Sequence, residues 1–309
     1  MANQALRIAL LLWILSACKN VEVIRPPRFP HERLMNEHYR EARPGLFPLT
    51  VDTGKSRQAT VSQDGLIYYS SDQDGARNIY VRDLNSTLQF PLLRHPAEQH
   101  SPAISPNGRI LLFISEDKDR QGDLRALLID SEEMVENVLT GAATPDIWRE
   151  TINLTEYIRD YFATHPDPSC RGEASERYPA WHPDGERFFL VSNRCHPDRE
   201  AIWQIRILTR ALGLSIEIEK VGPGTLPAIS RNGQFLAFIA YRATNSRGEL
   251  FVRDLKIGTE ERIPLPEGSL PLYPALDEDA NTIYCSLVEK DSSGDGRLDA
   301  NDRATLYAL

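Results

Sequence analysis

No stretch of this 309-residue chain gathers lysine and arginine into a phosphate-tracking stripe, and the formal net charge is -9, which excludes nucleic acid as the expected partner. No Gly-x-Ser-x-Gly elbow occurs, so the usual serine-hydrolase nucleophile is absent. The seven histidines are scattered and show no metal-ligand spacing. The apolar run at the start, from Ile8 to Leu15, is too short to span a bilayer as a stable anchor. A hydrophobic share of 41% is enough for a packed core, which excludes disorder as the default state.

What stands at the amino terminus is a single positive charge at Arg7, the apolar run, and small residues directly before Cys18, the arrangement of an export signal. The quartet Leu15-Ser16-Ala17-Cys18 resembles the bacterial lipobox. That resemblance implies a lipoprotein signal peptide over residues 1–17, diacylation of the Cys18 sulfur, cleavage before it, and acylation of the new amino terminus. An ordinary secretory signal or an uncleaved anchor are the alternatives, and each takes the chain out of the cytoplasm. Three acyl chains suffice for firm anchoring. Lys19 and Asn20 resemble the outer-membrane sorting pattern, so the expected place is the outer membrane, facing the periplasm. Residues 18–45 contain four prolines and many charges with no clean period, and read as an acylated tether.

From there on the chain repeats itself. QATVSQDGLIYYS at Gln58, SPAISPNGRILLFIS at Ser101, YPAWHPDGERFFLVS at Tyr178, LPAISRNGQFLAFIA at Leu226 and YPALDEDANTIYCSL at Tyr273 are copies of one pattern. Four carry Asp-Gly or Asn-Gly at a tight hairpin turn; the fifth has Asp279-Ala280. Pro102, Pro179, Pro227 and Pro274 each stand five residues before their turn. After each turn comes an apolar or β-branched run, such as Ile110 to Ile114, that reads as a buried strand. A third strand follows a polar hairpin: NIYVRDL at Asn78, DLRALLID at Asp123, AIWQIRIL at Ala201, ELFVRDL at Glu249 and ATLYAL at Ala304. Turn-to-turn distances are 43, 77, 48 and 47 residues, the size of propeller blades with one interval enlarged by about thirty.

The pattern resembles the TolB-like propeller repeat, and the resemblance covers residues 56–309. It implies an all-β chain, a β-propeller over residues 46–309 with five blades, or six if the enlarged interval hides a degenerate one. That interval, about residues 131–177, is an insertion in the second blade, with one short helix expected near 154–163. Three closures stay open: Leu46 to Val51 as outer strand of the last blade, a sixth blade in the insertion, or an open ring pairing with another subunit. TolB-like propellers also precede the hydrolase domain of prolyl-oligopeptidase-type peptidases, but no room for such a domain is expected after the fifth repeat.

Asp291 to Asp302, DSSGDGRLDAND, resembles the calcium loop of EF-hands and dockerins. The resemblance implies a structural calcium ion held by Asp291, Ser293, Asp295, the Arg297 carbonyl, Asp299 and Asp302. Asp302 departs from the longer Glu of EF-hands, and the loop lies between strands instead of helices; the alternative is a Gly-rich acidic hairpin that binds nothing. Of the four cysteines, Cys18 is reserved for lipid and Cys285 sits in an apolar strand as a buried small residue. Cys170 and Cys195 remain for a disulfide in an oxidising compartment. His182 occupies the serine position of a repeat. Tyr241, Arg242, Arg194 and Trp203 are candidates for a binding face, with Trp203 expected in the core.

With no catalytic constellation legible, the expected function is a non-catalytic, membrane-tethered, protein-binding scaffold of the cell envelope, its partner another envelope protein. The alternative is a propeller enzyme, or a carbohydrate- or small-ligand-binding protein, using the central channel. An enzyme should converge carboxylates or histidines; a scaffold should show an apolar or aromatic patch.

Overall fold

The computed structural model describes residues 55–63, 65–83, 89–129, 147–170, 174–195, 200–210, 213–242, 245–300 and 302–309. Cys18, the signal and tether segments, Leu46 to Val51 and most of the front half of the insertion therefore lie outside the described residues. Within them, five antiparallel sheets follow one another along the chain as blades of a five-bladed β-propeller.

The chain divides into two compact units, the first holding two blades and the second three. In unit one, β1 (Arg57–Val61), β2 (Leu66–Ser71), β3 (Asn78–Asp83) and β4 (Gln89–Leu93) form the first blade in that order. The second is β5 (Gln99–Ile104), β6 (Ile110–Ser115), β7 (Asp123–Leu128) and the two-residue β8 (Ile152–Asn153). Every residue of β2 and β6 is buried, as a strand covered on both faces must be, and Leu66, Tyr68, Val81, Leu111 and Phe113 join one core.

Unit two holds the third blade, β9 (Glu176–Trp181), β10 (Arg187–Ser192), β11 (Ala201–Arg210) and β12 (Gly213–Pro223). The fourth is β13 (Thr225–Ile229), β14 (Phe235–Arg242), β15 (Asn245–Asp254) and β16 (Glu260–Ile263). The fifth has three described strands, β17 (Leu270–Leu276), β18 (Ile283–Val288) and β19 (Ala304–Ala308). Cys285, fully buried, packs there with Leu226, Ala237 and Leu287, and burial pushes its thiol pKa up, as befits a core residue and not a nucleophile.

The repeat residues explain the hairpins. Ser105 Oγ accepts the Ile110 N–H at 2.9 Å and donates to Asn107 Oδ1 at 2.7 Å, while the Gly108 N–H donates to the Ser105 carbonyl at 2.8 Å. Ser230, Asn232, Gly233 and Phe235 repeat this arrangement in the fourth blade. The side chains close the turn, and the glycine supplies its positive φ.

The residue that opens each copy has a second task. Gln58, Ser101, Tyr178, Leu226 and Tyr273 all have φ between 49° and 54°, one per blade, at the point where the first strand slips register against the second. Each is a bulge with a non-glycine residue in the left-handed region, at a cost of about 1–2 kcal/mol. In four copies a proline follows, whose ring denies its predecessor the right-handed helical alternative.

The insertion supplies β8, which pairs Ile152 with Ala126 and Asn153 with Arg125, and then helix α1 (Leu154–Thr164). Asn153 Oδ1 caps the helix by accepting the Thr155 N–H at 3.0 Å, and Thr155 Oγ1 accepts the Leu124 N–H at 2.8 Å. Its described part thus completes the second blade and adds a helix. In unit two, Phe162 stands edge-on to Trp203 at 5.8 Å, and Cys170 is bonded to Cys195 beside them. There Arg194 and Glu176, 1% and 0% exposed, pair at 2.5 Å. Among the described residues no helix is long and apolar enough to cross a membrane.

Candidate functional site

Three tyrosines and one carboxylate of unit two are near enough to influence one another electrostatically. Tyr178 and Tyr273 are the bulge residues of β9 and β17, Tyr241 closes β14, and Glu200 precedes β11. Tyr178 is half-buried between the apolar clusters of the unit, while Tyr241 and Tyr273 are 55% and 43% exposed. Tyr178 and Tyr273 share a left-handed backbone with Ser101 and Leu226, which are buried, so the bulge sets the direction of the side chain and not its exposure. A left-handed residue re-aims its side chain out of the strand's alternation, which is what a bulge does next to a binding site. Gly248 lets the β14–β15 hairpin close on the Tyr241 ring, since a Cβ there would fall 3.1 Å from the ring and 2.8 Å from Ile239 Cγ2.

The polar groups of this face are uncommitted. Among the described residues, none of the three hydroxyls and neither oxygen of Glu200 has a hydrogen-bond or ion-pair partner. Burial raises the Tyr178 pKa, and neighbouring Tyr273, Glu200 and Tyr241 add to the shift against the opposing pull of Arg177. Burial and Glu200 raise Tyr241 in the same direction. Both shifts favour the protonated, donor form of the phenols.

Of the residues singled out from sequence for a face, only Tyr241 is found on it. Arg194 and Trp203 are buried in the satellite core with Cys195, and the Arg242 side chain lies outside the described residues. In the sequence, Tyr178 and Tyr273 are marked as bulky aromatics directly before the proline of their repeats, at a position whose backbone turns left-handed. Glu200 carries no such mark. His182 bridges two turns, with Nε2 3.0 Å from the Gly233 carbonyl and Nδ1 3.0 Å from Asp184 Oδ2. Burial opposes ionisation of Asp184, but contact with His182, the Glu186 N–H and Arg187 outweighs it and holds the carboxyl below the usual range. A groove of about 450 Å³ beside it is lined by ion pairs that satisfy one another, Arg187 with Asp184 at 2.7 Å and Arg206 with Glu186 at 3.1 Å.

The Asp291 loop satisfies its carboxylates with its own backbone. Asp291 accepts N–H groups from Gly294 and Gly296, and Asp302 accepts them from Ser292, Ser293 and Asp299. Among the described residues the one cluster of three close metal-type donors is Asp167, Cys170 and Cys195, and the disulfide consumes two of them. These N–H contacts use only part of the acceptor capacity of the two carboxylates, and Ser293, Asp295, Asp299 and the Arg297 carbonyl lie in the same loop.

Compared with solved structures, the chain is similar to TolB from Acinetobacter baumannii, with a TM-score of 0.54 and 12% identity over 78% of this chain and 53% of that one. The fold is that of the TolB-like propellers. The chain spans about half the length of Acinetobacter TolB. A puromycin-hydrolyzing peptidase from Mycobacterium tuberculosis aligns at a TM-score of 0.50 and 16% identity, over 87% of this chain and 38% of the peptidase. A putative TolB from Agrobacterium tumefaciens aligns at 0.45 and 20% identity, over 69% of this chain and 67% of that one. No family model and no curated protein matches the sequence. At these identities the likeness speaks to fold alone, and a fold does not determine an activity.

Proposed function

We propose that the chain is an exported lipoprotein, tethered to the envelope through Cys18, that acts as a non-catalytic protein-binding scaffold. The observation that carries this reading is the pair of exposed rings Tyr241 and Tyr273 with the half-buried Tyr178, whose hydroxyls have no partner among the described residues while the ion pairs around the groove are closed on themselves. Tyrosine is enriched at protein interfaces because its ring buries area at low entropic cost and its hydroxyl still finds a partner. The partner is another envelope protein, and the place is the periplasmic side of the outer membrane. The Asp291 loop is proposed as a structural calcium site that stiffens the terminal blade.

The test is retention of envelope proteins by the intact lipoprotein from detergent-solubilised membranes, with calcium and with chelator. A stoichiometric protein partner supports the scaffold, and retention only in calcium ties the Asp291 loop to it. No partner in either condition moves the reading to a carbohydrate-binding protein or enzyme, which exposed aromatic rings would also serve.

A further inference from the structure

We infer that residues 46–51, which lie outside the described residues, add to the outer edge of β19 and complete the fifth blade as its fourth strand. The first observation is one of phase in the repeat. Phe-Pro-Leu occurs twice in the chain, at Phe47 and at Phe90. Phe90 lies in β4, the fourth strand of the first blade, eleven residues before Ser101, the left-handed residue of the second blade. Phe47 stands eleven residues before Gln58, the left-handed residue of the first. Residues 46–51 therefore hold the place of a fourth strand, and β4 already fills that place in the first blade. The fifth blade is the one with three strands among the described residues.

The second observation is the edge itself. In the other blades of unit two the outer strands carry charges that deter a further strand, Glu217, Glu219 and Lys220 in β12 and Glu260, Glu261 and Arg262 in β16. β19 reads Ala304-Thr305-Leu306-Tyr307-Ala308, with neither charge nor proline. Leu306 is 69% exposed and Tyr284 43%, and the two share a face, because Leu306 pairs with Ser286 and Ala308 with Tyr284. The first blade gives the register. Tyr68 faces Thr60 and Val81, and Tyr284 faces Ala275 and Ala308, so Ala308 stands where Val81 does. Phe90 faces Val81 and packs on the core that Val81 and Tyr68 share, so Phe47 faces Ala308 and covers Leu306 and Tyr284. Residues 18–45 run directly into this strand. With Cys18 acylated, the tether therefore leaves from the edge of the β18–β19 hairpin that carries the Asp291 loop.

Facing residues of an antiparallel pair have Cα atoms about 4.5–5.5 Å apart, within reach of a disulfide. The test is the pair Phe47→Cys with Ala308→Cys in the intact lipoprotein under mild oxidation, against Phe47→Cys with Ile257→Cys, an exposed position, as the control. Peptide mapping by mass spectrometry should find a 47–308 link within one molecule, at a yield at least tenfold above 47–257. Equal yields, no link, or a link between two molecules overturns the inference, the last by making another molecule's segment the occupant. Hydrogen exchange reads the same contact without cysteines. Phe47→Asp should speed exchange of the β19 amides at least tenfold with circular dichroism unchanged, and an unchanged exchange rate overturns the inference as well. The scaffold reading does not rest on this edge, so retention of a partner protein tests it separately.

Discussion

Ala280 does what the other four turns avoid. Its φ is 55°, in the left-handed region where a Cβ is crowded, at the position that Gly65, Gly108, Gly185 and Gly233 hold in the other repeats. Ala280→Gly should raise stability by about 1 kcal/mol, the relief of left-handed strain less the extra entropy of an unfolded glycine, read as a higher denaturant midpoint. Glu176→Gln acts in the opposite direction. It leaves the Arg194 guanidinium, 1% exposed, without its carboxylate, and should cost about 3–5 kcal/mol in chemical unfolding. Acid should reach the Asp291 loop late. The N–H groups of Asp299, Ser293 and Ser292 hold the Asp302 pKa at about 2, below its ordinary 3.8. A depressed folded pKa stabilises above the unfolded value and is lost as pH falls through the folded one. The melting temperature should therefore be flat from neutral pH to about pH 5 and fall between about pH 4 and about pH 2, less steeply in Asp302→Asn.

At the scale of elements, the strands were legible because each repeat pairs a turn dipeptide with an apolar run, and the structure places β2, β6, β10, β14 and β18 on those runs. Helix α1 was legible as well, to within a residue at its end. What was not legible is β8, whose two residues are too few to show alternation, and the left-handed bulges, which the X-Pro pairs mark without revealing their sign. The disulfide belongs to this scale because it joins Cys170, beyond the helix, to the β10–β11 hairpin 25 residues on. Opening it in Cys170→Ser should lower stability by about 3 kcal/mol, seen as equal unfolding midpoints for the variant and the reduced wild type. A midpoint equal to that of the oxidised wild type would show that Phe162 and Trp203 hold the segment unaided.

For the whole molecule, the fold could be read from sequence because repetition is a global signal carried by local residues. The site could not, because positions 178, 200, 241 and 273 are far apart in the chain, and the repeat position shared by 178 and 273 holds Gln58, Ser101 and Leu226 in the other copies. The scaffold reading stands on that face, and it is tested most directly by a photo-crosslinking side chain at position 241, with one at Ile257, 68% exposed on the turn after β15, as the control. The account predicts a defined protein adduct in the envelope from position 241 and none from 257. No adduct at 241, or the same adducts from both positions, would contradict it.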